Sequence, residues 1–400
     1  MTAQALDFNV SAELRDDLKR WRTRALAVGI AGALLCAVGF FVSPFQFYRS
    51  YLWAYLYVVA LSVGPLAWLM LQYITGGNWG VVIRRPCEAA GRTLPLVALM
   101  FLPIFIGIRN LYDWSHADKV LADPDLMHKH LYLNLPFFVG RAAVYLGGWI
   151  LLSTLFNRWS VKEDIEGHNA VHGKMSKLAP PGLIFWALSV TFMSIDWVLS
   201  LNPKWFSTMF GLLFIASQLL TSMAFLITVM VMLSKRKPMS DVLTPRHLHD
   251  LGKFLLALVM VWAYFSFSQF LIIWAGNLPE EIPWYMTRLN GGWQYVALLL
   301  VFGHFALPFA LLLSRDLKRN FKLLAAIAVF ILCMRLVDLY WLVAPDLPNR
   351  EGFGLSWMDF TAPMGLLGIW LAYFLRQLEK RPLMPINSPN LEEALQHGRE

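Results

Sequence analysis

Apolar residues run along this chain in long unbroken stretches separated by short polar ones. A run of about 20 apolar residues crosses the roughly 30 Å hydrocarbon core of a bilayer as a helix. Ten such runs fall at about 23–43, 51–73, 94–110, 134–157, 181–201, 208–233, 251–276, 291–314, 320–343 and 358–378. Lipid offers no hydrogen bonds, so backbone groups there must be satisfied within the segment, and the runs are predicted as helices rather than strands. The predicted fold is an all-α integral membrane protein with ten transmembrane helices.

Composition agrees. Hydrophobic residues make up 58% and charged residues 15%, well under the soluble average of about 25% charged. The net charge of +8 does not point to nucleic acid, because the basic residues sit in short loops beside apolar runs. The bilayer surface explains them. Cys36, Cys87 and Cys333 lie far apart, with no CxxC or CxxCH. No zinc, iron–sulfur or c-type haem motif is written in this chain. The first twenty residues are polar and charged, so no cleavable signal peptide is expected.

Lys and Arg set the orientation. Alternating the loops between two sides places 25 of them with the termini and 7 on the opposite side, with Arg141 and Arg335 inside spans. Both termini are therefore expected in the cytoplasm. Residues 1–22 read as a charged lead-in, 74–93 (ITGGNWGVVIRRPCEAAGRT) as a cytoplasmic loop, and 380–400 as a mostly disordered tail. Gly64-Pro65 predicts a kink in span two. The outer loop 111–133 is acidic and holds His116, His128 and His130, at no metal-ligand spacing. It is expected to face solvent or a partner.

Charges inside the spans are the candidate chemistry. A charge at membrane depth costs at least about 2.5–3.5 kcal/mol on insertion scales. It persists only if it is paired, faces a polar cavity or does work. Arg335 and Asp338 stand three residues apart, on one helix face. Arg141, Asp196 and Asp359 fall at a similar depth, in the outer half. Neutral pairing makes Arg141 with Asp196, and Arg335 with Asp338, the expected partners. His304 is the one histidine in a predicted span. A membrane b-type haem needs two, so no haem is expected on this chain. Asp196 precedes Pro203 by seven residues, as Asp338 precedes Pro345. This echo, four spans apart, suggests parallel repeats. Residues 51–203 (spans 2–5) and 204–345 (spans 6–9) would be two four-helix bundles, with span 1 (23–50) and span 10 (346–379) flanking them.

Two segments carry a family resemblance. TGGNWGVVIRRPCEAAGRTLPLVALMFLPIFIG, and HKHLYLNLPFFVGRAAVYLGGWILLSTLFNRWS with Asn134, Pro136, Phe137, Phe138 and Arg141, resemble the membrane subunits of bacterial alternative complex III. These are similar to the polysulfide-reductase membrane subunit, the NrfD-like family, and the resemblance runs over all ten spans. It implies two four-helix bundles within a quinol:cytochrome c (or other acceptor) oxidoreductase. The implied partners are iron–sulfur, multihaem cytochrome and other membrane subunits, which would hold the haem and iron–sulfur clusters. The family's quinol pocket uses polar groups at the outer end of the first bundle. Span two here offers no histidine or carboxylate there, only Tyr51, Tyr55 and Ser62, which speaks against an independent quinol-oxidising site. The expected role is a proton path and scaffold, with Asp196, Asp338 and His304 as carriers and Arg141 and Arg335 tuning them. Tyr51, Tyr55 and Asp359 are the weaker candidates for contact with quinone or quinol. The alternatives are a secondary transporter acting alone and a purely structural anchor.

Overall fold

A computed structural model describes residues 7–167, 171–347 and 352–397. Residues 1–6 of the lead-in, Arg350 and the last three residues of the tail lie outside the described residues. No strand occurs among the described residues. Ten helices are long and apolar enough to cross a membrane. They are α1 (Ala12–Val42), α2 (Pro44–Thr75), α3 (Asn78–Ile106), α4 (Leu135–Glu166), α5 (His172–Leu201), α6 (Met209–Leu233), α7 (Pro245–Gly276), α8 (Trp293–Leu313), α9 (Phe321–Asp346) and α10 (Met358–Glu379).

The ten predicted runs each map onto one of these helices, but several helices extend further. The charged lead-in is the first part of α1. Ser11 accepts from the Leu14 amide to cap the helix, and Leu14 and Leu18 turn inward, so residues 12–22 continue α1. The expected loop 74–93 is largely helix as well. Gly76, at φ +64°, ends α2, a left-handed conformation that suits glycine. Helix resumes two residues later at Asn78.

α2 is the central element. Its most apolar window is 94% buried, against 22% for α1. It packs against α3, α5, α6 and α10. Helices α1 and α10, expected to flank the bundles, pack on each other. A Cβ on Gly32 would stand 2.4 Å from the Gly365 nitrogen, and one on Gly368 would stand 2.5 Å from Gly29 Cα. The backbones touch there, the small-residue contact that lets membrane helices approach closely.

The first described residues meet the C-terminal tail. Leu383 donates its amide to the Phe8 carbonyl at 2.9 Å. The tail is ordered from 380 to 397, contrary to the expectation of disorder. Leu383, Met384, Leu391 and Ala394 are buried. The tail straps the ends of several spans: Asn390 reaches the Gly76 carbonyl, the Ile386 amide reaches Asp164, and His247 reaches the Ala394 carbonyl. We call this the terminal end, and its opposite the far end. At the far end the short helix Ile282–Leu289 covers the last turn of α9. Its buried Arg288 bonds Asp346 at 2.6 Å and the Leu342 carbonyl at 2.8 Å.

Candidate functional site

The span charges resolve into separate clusters. The first lies at the far end. Pro136 at the start of α4 and the Asn134 side chain, which caps Phe137, begin the helix that carries Arg141. Arg141 meets Asp196 of α5 as a bidentate pair, Nε to Oδ2 at 2.8 Å and Nη2 to Oδ1 at 2.9 Å. Tyr145, one turn on from Arg141, donates its hydroxyl to Asp196 Oδ2 at 2.7 Å. Arg141 also donates to the Tyr132 carbonyl at 3.0 Å and lies over the Tyr132 and Phe137 rings. Burial, with the Asp196 carboxylate beside it, pushes the Tyr132 phenol up. Asp196 is fully buried, and both its oxygens are held by charged or hydroxyl donors. The arrangement clamps α4 to α5.

The second cluster lies between α6, α7, α8 and α9. Arg335 and Asp338 pair along α9. Trp262 of α7 donates to Asp338 Oδ2 at 3.2 Å. Arg335 Nε donates to the Thr221 hydroxyl of α6 at 3.2 Å, and Thr221 donates back to the Ser217 carbonyl. Across from them, α8 loosens into a π-helical turn, Leu300–Ala306, with Pro308 just beyond. Single π turns recur where a helix aims a functional side chain. The side chain here is His304. It is fully buried, its ring meets the Trp262 ring edge-on at 4.2 Å, and neither ring nitrogen has a hydrogen-bond partner. The same indole that holds Asp338 therefore packs on His304.

The third cluster was not foreseen. Arg84, Arg85 and Arg92 were expected in a solvated loop. Instead Arg84, Arg85 and Glu88 are buried on α3. Glu88 is the hub. It takes Arg84 at 3.2 Å and Ser160 at 2.5 Å on one oxygen, and Arg85 at 2.7 Å and Arg381 at 3.3 Å on the other. Arg84 also pairs with Glu163, and Arg85 with Asp164, both from the end of α4. Glu163 bonds in turn to His172 at 3.0 Å. Arg92 and Arg381 converge on the Asn157 side-chain oxygen at 2.9 and 2.8 Å. Burial pulls the Arg381 guanidinium down from its ordinary range, against the pull of Glu88. One signal in the sequence could have found this: Glu88 stands three and four residues after Arg85 and Arg84, the spacing of helical ion pairs. Its other carboxylates come from residues far away in sequence, which no local pattern shows.

The weaker candidates do not converge. Tyr51 donates to the Met100 carbonyl at 2.8 Å. Tyr55 is fully buried among Phe101 and Trp197, and its hydroxyl has no partner. Asp359 faces elsewhere. It accepts from Ser50 at 2.7 Å, from the Ser356 amide at 2.9 Å and from Gln46 at 3.4 Å. Among the described residues, no group of three or more His, Cys, Asp or Glu side chains could hold a metal ion. The outer-loop histidines and aspartates thus form no such group.

The fold and its clusters define a multi-pass helical membrane protein with charge buried inside its spans. No protein-family model matches this chain, and no curated protein matches it.

Proposed function

We propose that this chain is a membrane subunit of a quinol:acceptor oxidoreductase of the alternative complex III type, in which it provides scaffold and part of a proton path. The observation that carries the reading is His304 on its π-helical turn. An imidazole with both nitrogens unclaimed, packed on the indole that bonds Asp338, can accept a proton and pass it on. Arg335 bridges this group to α6, so a change in its pairing would be felt at His304 and at Thr221 together. The clamped Arg141–Asp196–Tyr145 cluster supports a scaffold role for the first half. This favours the structural alternative for Asp196 and leaves His304 and Asp338 as the carriers.

In this reading spans 2–5 and 6–9 are the two bundles and the terminal end faces the cytoplasm of a bacterium. The three arginines found inside α3 leave the charge count, yet 22 basic residues would still lie on the terminal side against 7 opposite. Redox centres would reside in iron–sulfur and multihaem partners. Quinol would be oxidised outside this chain, because Tyr51, Tyr55 and Asp359 do not build one pocket.

The test is purification of the tagged chain in mild detergent. Subunit analysis, an optical spectrum and quinol-dependent cytochrome c reduction follow. Co-purifying haem and iron–sulfur proteins with quinol activity are expected. A colourless solitary protein, under conditions that keep other respiratory complexes intact, would overturn the reading in favour of a transporter. In the intact complex, His304→Gln should lower proton release per electron with little loss of assembly. Unchanged stoichiometry would remove the proton path.

A further inference from the structure

A groove of about 990 Å³ opens between the α1–α10 pair and helices α8 and α9, with Trp53 of α2 and Met232 of α6 at its base. That volume is at the upper end of the range of about 300–1,000 Å³ for ligand pockets. Its walls are apolar almost throughout. Along α10 it runs from Asp359 to Leu375, sixteen residues at about 1.5 Å each, or roughly 24 Å. It therefore follows most of the hydrocarbon thickness of a bilayer.

The two ends differ chemically. At the far end the polar group is Asp359, whose oxygens are already engaged by Ser50, Gln46 and the Ser356 amide. At the terminal end the polar group is Arg24, with Trp21 beside it on the lining. Nearby Arg20 and Arg22 are held by Asp17 and Glu379. Arg24 is exposed and makes no ion pair among the described residues. Tryptophan at this level is the side chain that settles at a headgroup interface.

We infer that the groove is a binding site for an anionic phospholipid of the leaflet at the terminal end. The phosphate sits on Arg24 and the acyl chains lie along the apolar wall past Leu371 toward Met364 and Leu336. The charge argument selects this occupant over a neutral isoprenoid whose polar head would need an open group near Asp359. The site is independent of the proton path, and either can fail without the other.

Native mass spectrometry of the full chain in detergent tests the inference, with phosphatidylglycerol and phosphatidylcholine as the added probes. The wild-type protein should retain phosphatidylglycerol in preference. Arg24→Gln should weaken that binding roughly five-fold, equivalent to about 1 kcal/mol for one basic residue at an anionic surface. Arg20→Gln, off the groove, should leave the preference unchanged. Leu371→Trp, which fills the groove, should reduce retention of both lipids. Equal retention of the two lipids by the wild type would overturn the inference, as would a preference that survives Arg24→Gln. So would a co-purified neutral isoprenoid displaced by Leu371→Trp but not by Arg24→Gln.

Discussion

Glu88→Gln is the most informative single substitution in this protein. Glu88 is fully buried, and its two oxygens receive three arginines and a serine hydroxyl. The substitution removes a negative charge and places an amide NH2 where an oxygen accepted from guanidinium. Arg84 and Arg85 keep Glu163 and Asp164. Arg381 loses its one carboxylate partner among the described residues. Removing one partner of a buried ion pair typically destabilises by about 3–5 kcal/mol, because the remaining charge stays buried. That corresponds to more than a hundred-fold in the folding equilibrium at about 1.4 kcal/mol per decade. Reversible unfolding in mixed detergent and SDS micelles, followed by tryptophan fluorescence, would measure it. Glu166→Gln is the control. Its partner Lys162 is 3.4 Å away and both side chains are about half exposed, so the loss should be within about 0.5 kcal/mol. Adding Arg381→Gln to Glu88→Gln should recover part of the loss by restoring the balance of charge. If Glu88→Gln behaved like Glu166→Gln, the assignment of Glu88 as the hub of a dry ionic network would be wrong.

Other outcomes are equally open to measurement. Gly32→Leu should separate α1 from α10, because its side chain would occupy the Gly365 backbone. At the usual overpacking cost of about 1–3 kcal/mol or more, the detergent-solubilised protein should melt earlier, and an unchanged melting temperature would refute the backbone contact. Truncation after Glu379 removes Arg381 and the buried Leu383, Met384 and Leu391; limited proteolysis should then cut faster at the α4–α5 junction, and an unchanged rate would show that the strap is idle. Asp196→Asn should lower stability and leave proton stoichiometry unchanged, whereas Asp338→Asn should lower stoichiometry; the reverse pattern would exchange their roles. An impermeant maleimide should label Asp118→Cys from outside the cell and Lys237→Cys only after lysis, and the opposite result would invert the topology.

The ten spans were legible in the sequence because lipid makes one demand on every residue of a crossing segment. A local property, hydrophobicity over about 20 residues, is therefore enough to find them. The pairing of Arg335 with Asp338 was legible for the same reason, since helical spacing puts both on one face. The cost of a buried charge made a partner for Arg141 and for Asp196 expected, and the structure supplies the contact between them. What only the tertiary structure decided depends on residues distant in the chain. The run Ile83–Arg92 looks like a loop because its charges would be unaffordable inside a protein. It is a buried helix because Glu163, Asp164 and Arg381 arrive from α4 and the tail to balance it. The tail's polar composition suggested disorder, and only its contacts with Phe8, Asp164 and His247 show order. Likewise the π-helical turn at His304 is a local loosening of α8 opposite α9, and no residue pattern within span eight announces it. Solvation in lipid acts residue by residue and can be read along the chain, whereas charge compensation acts through space.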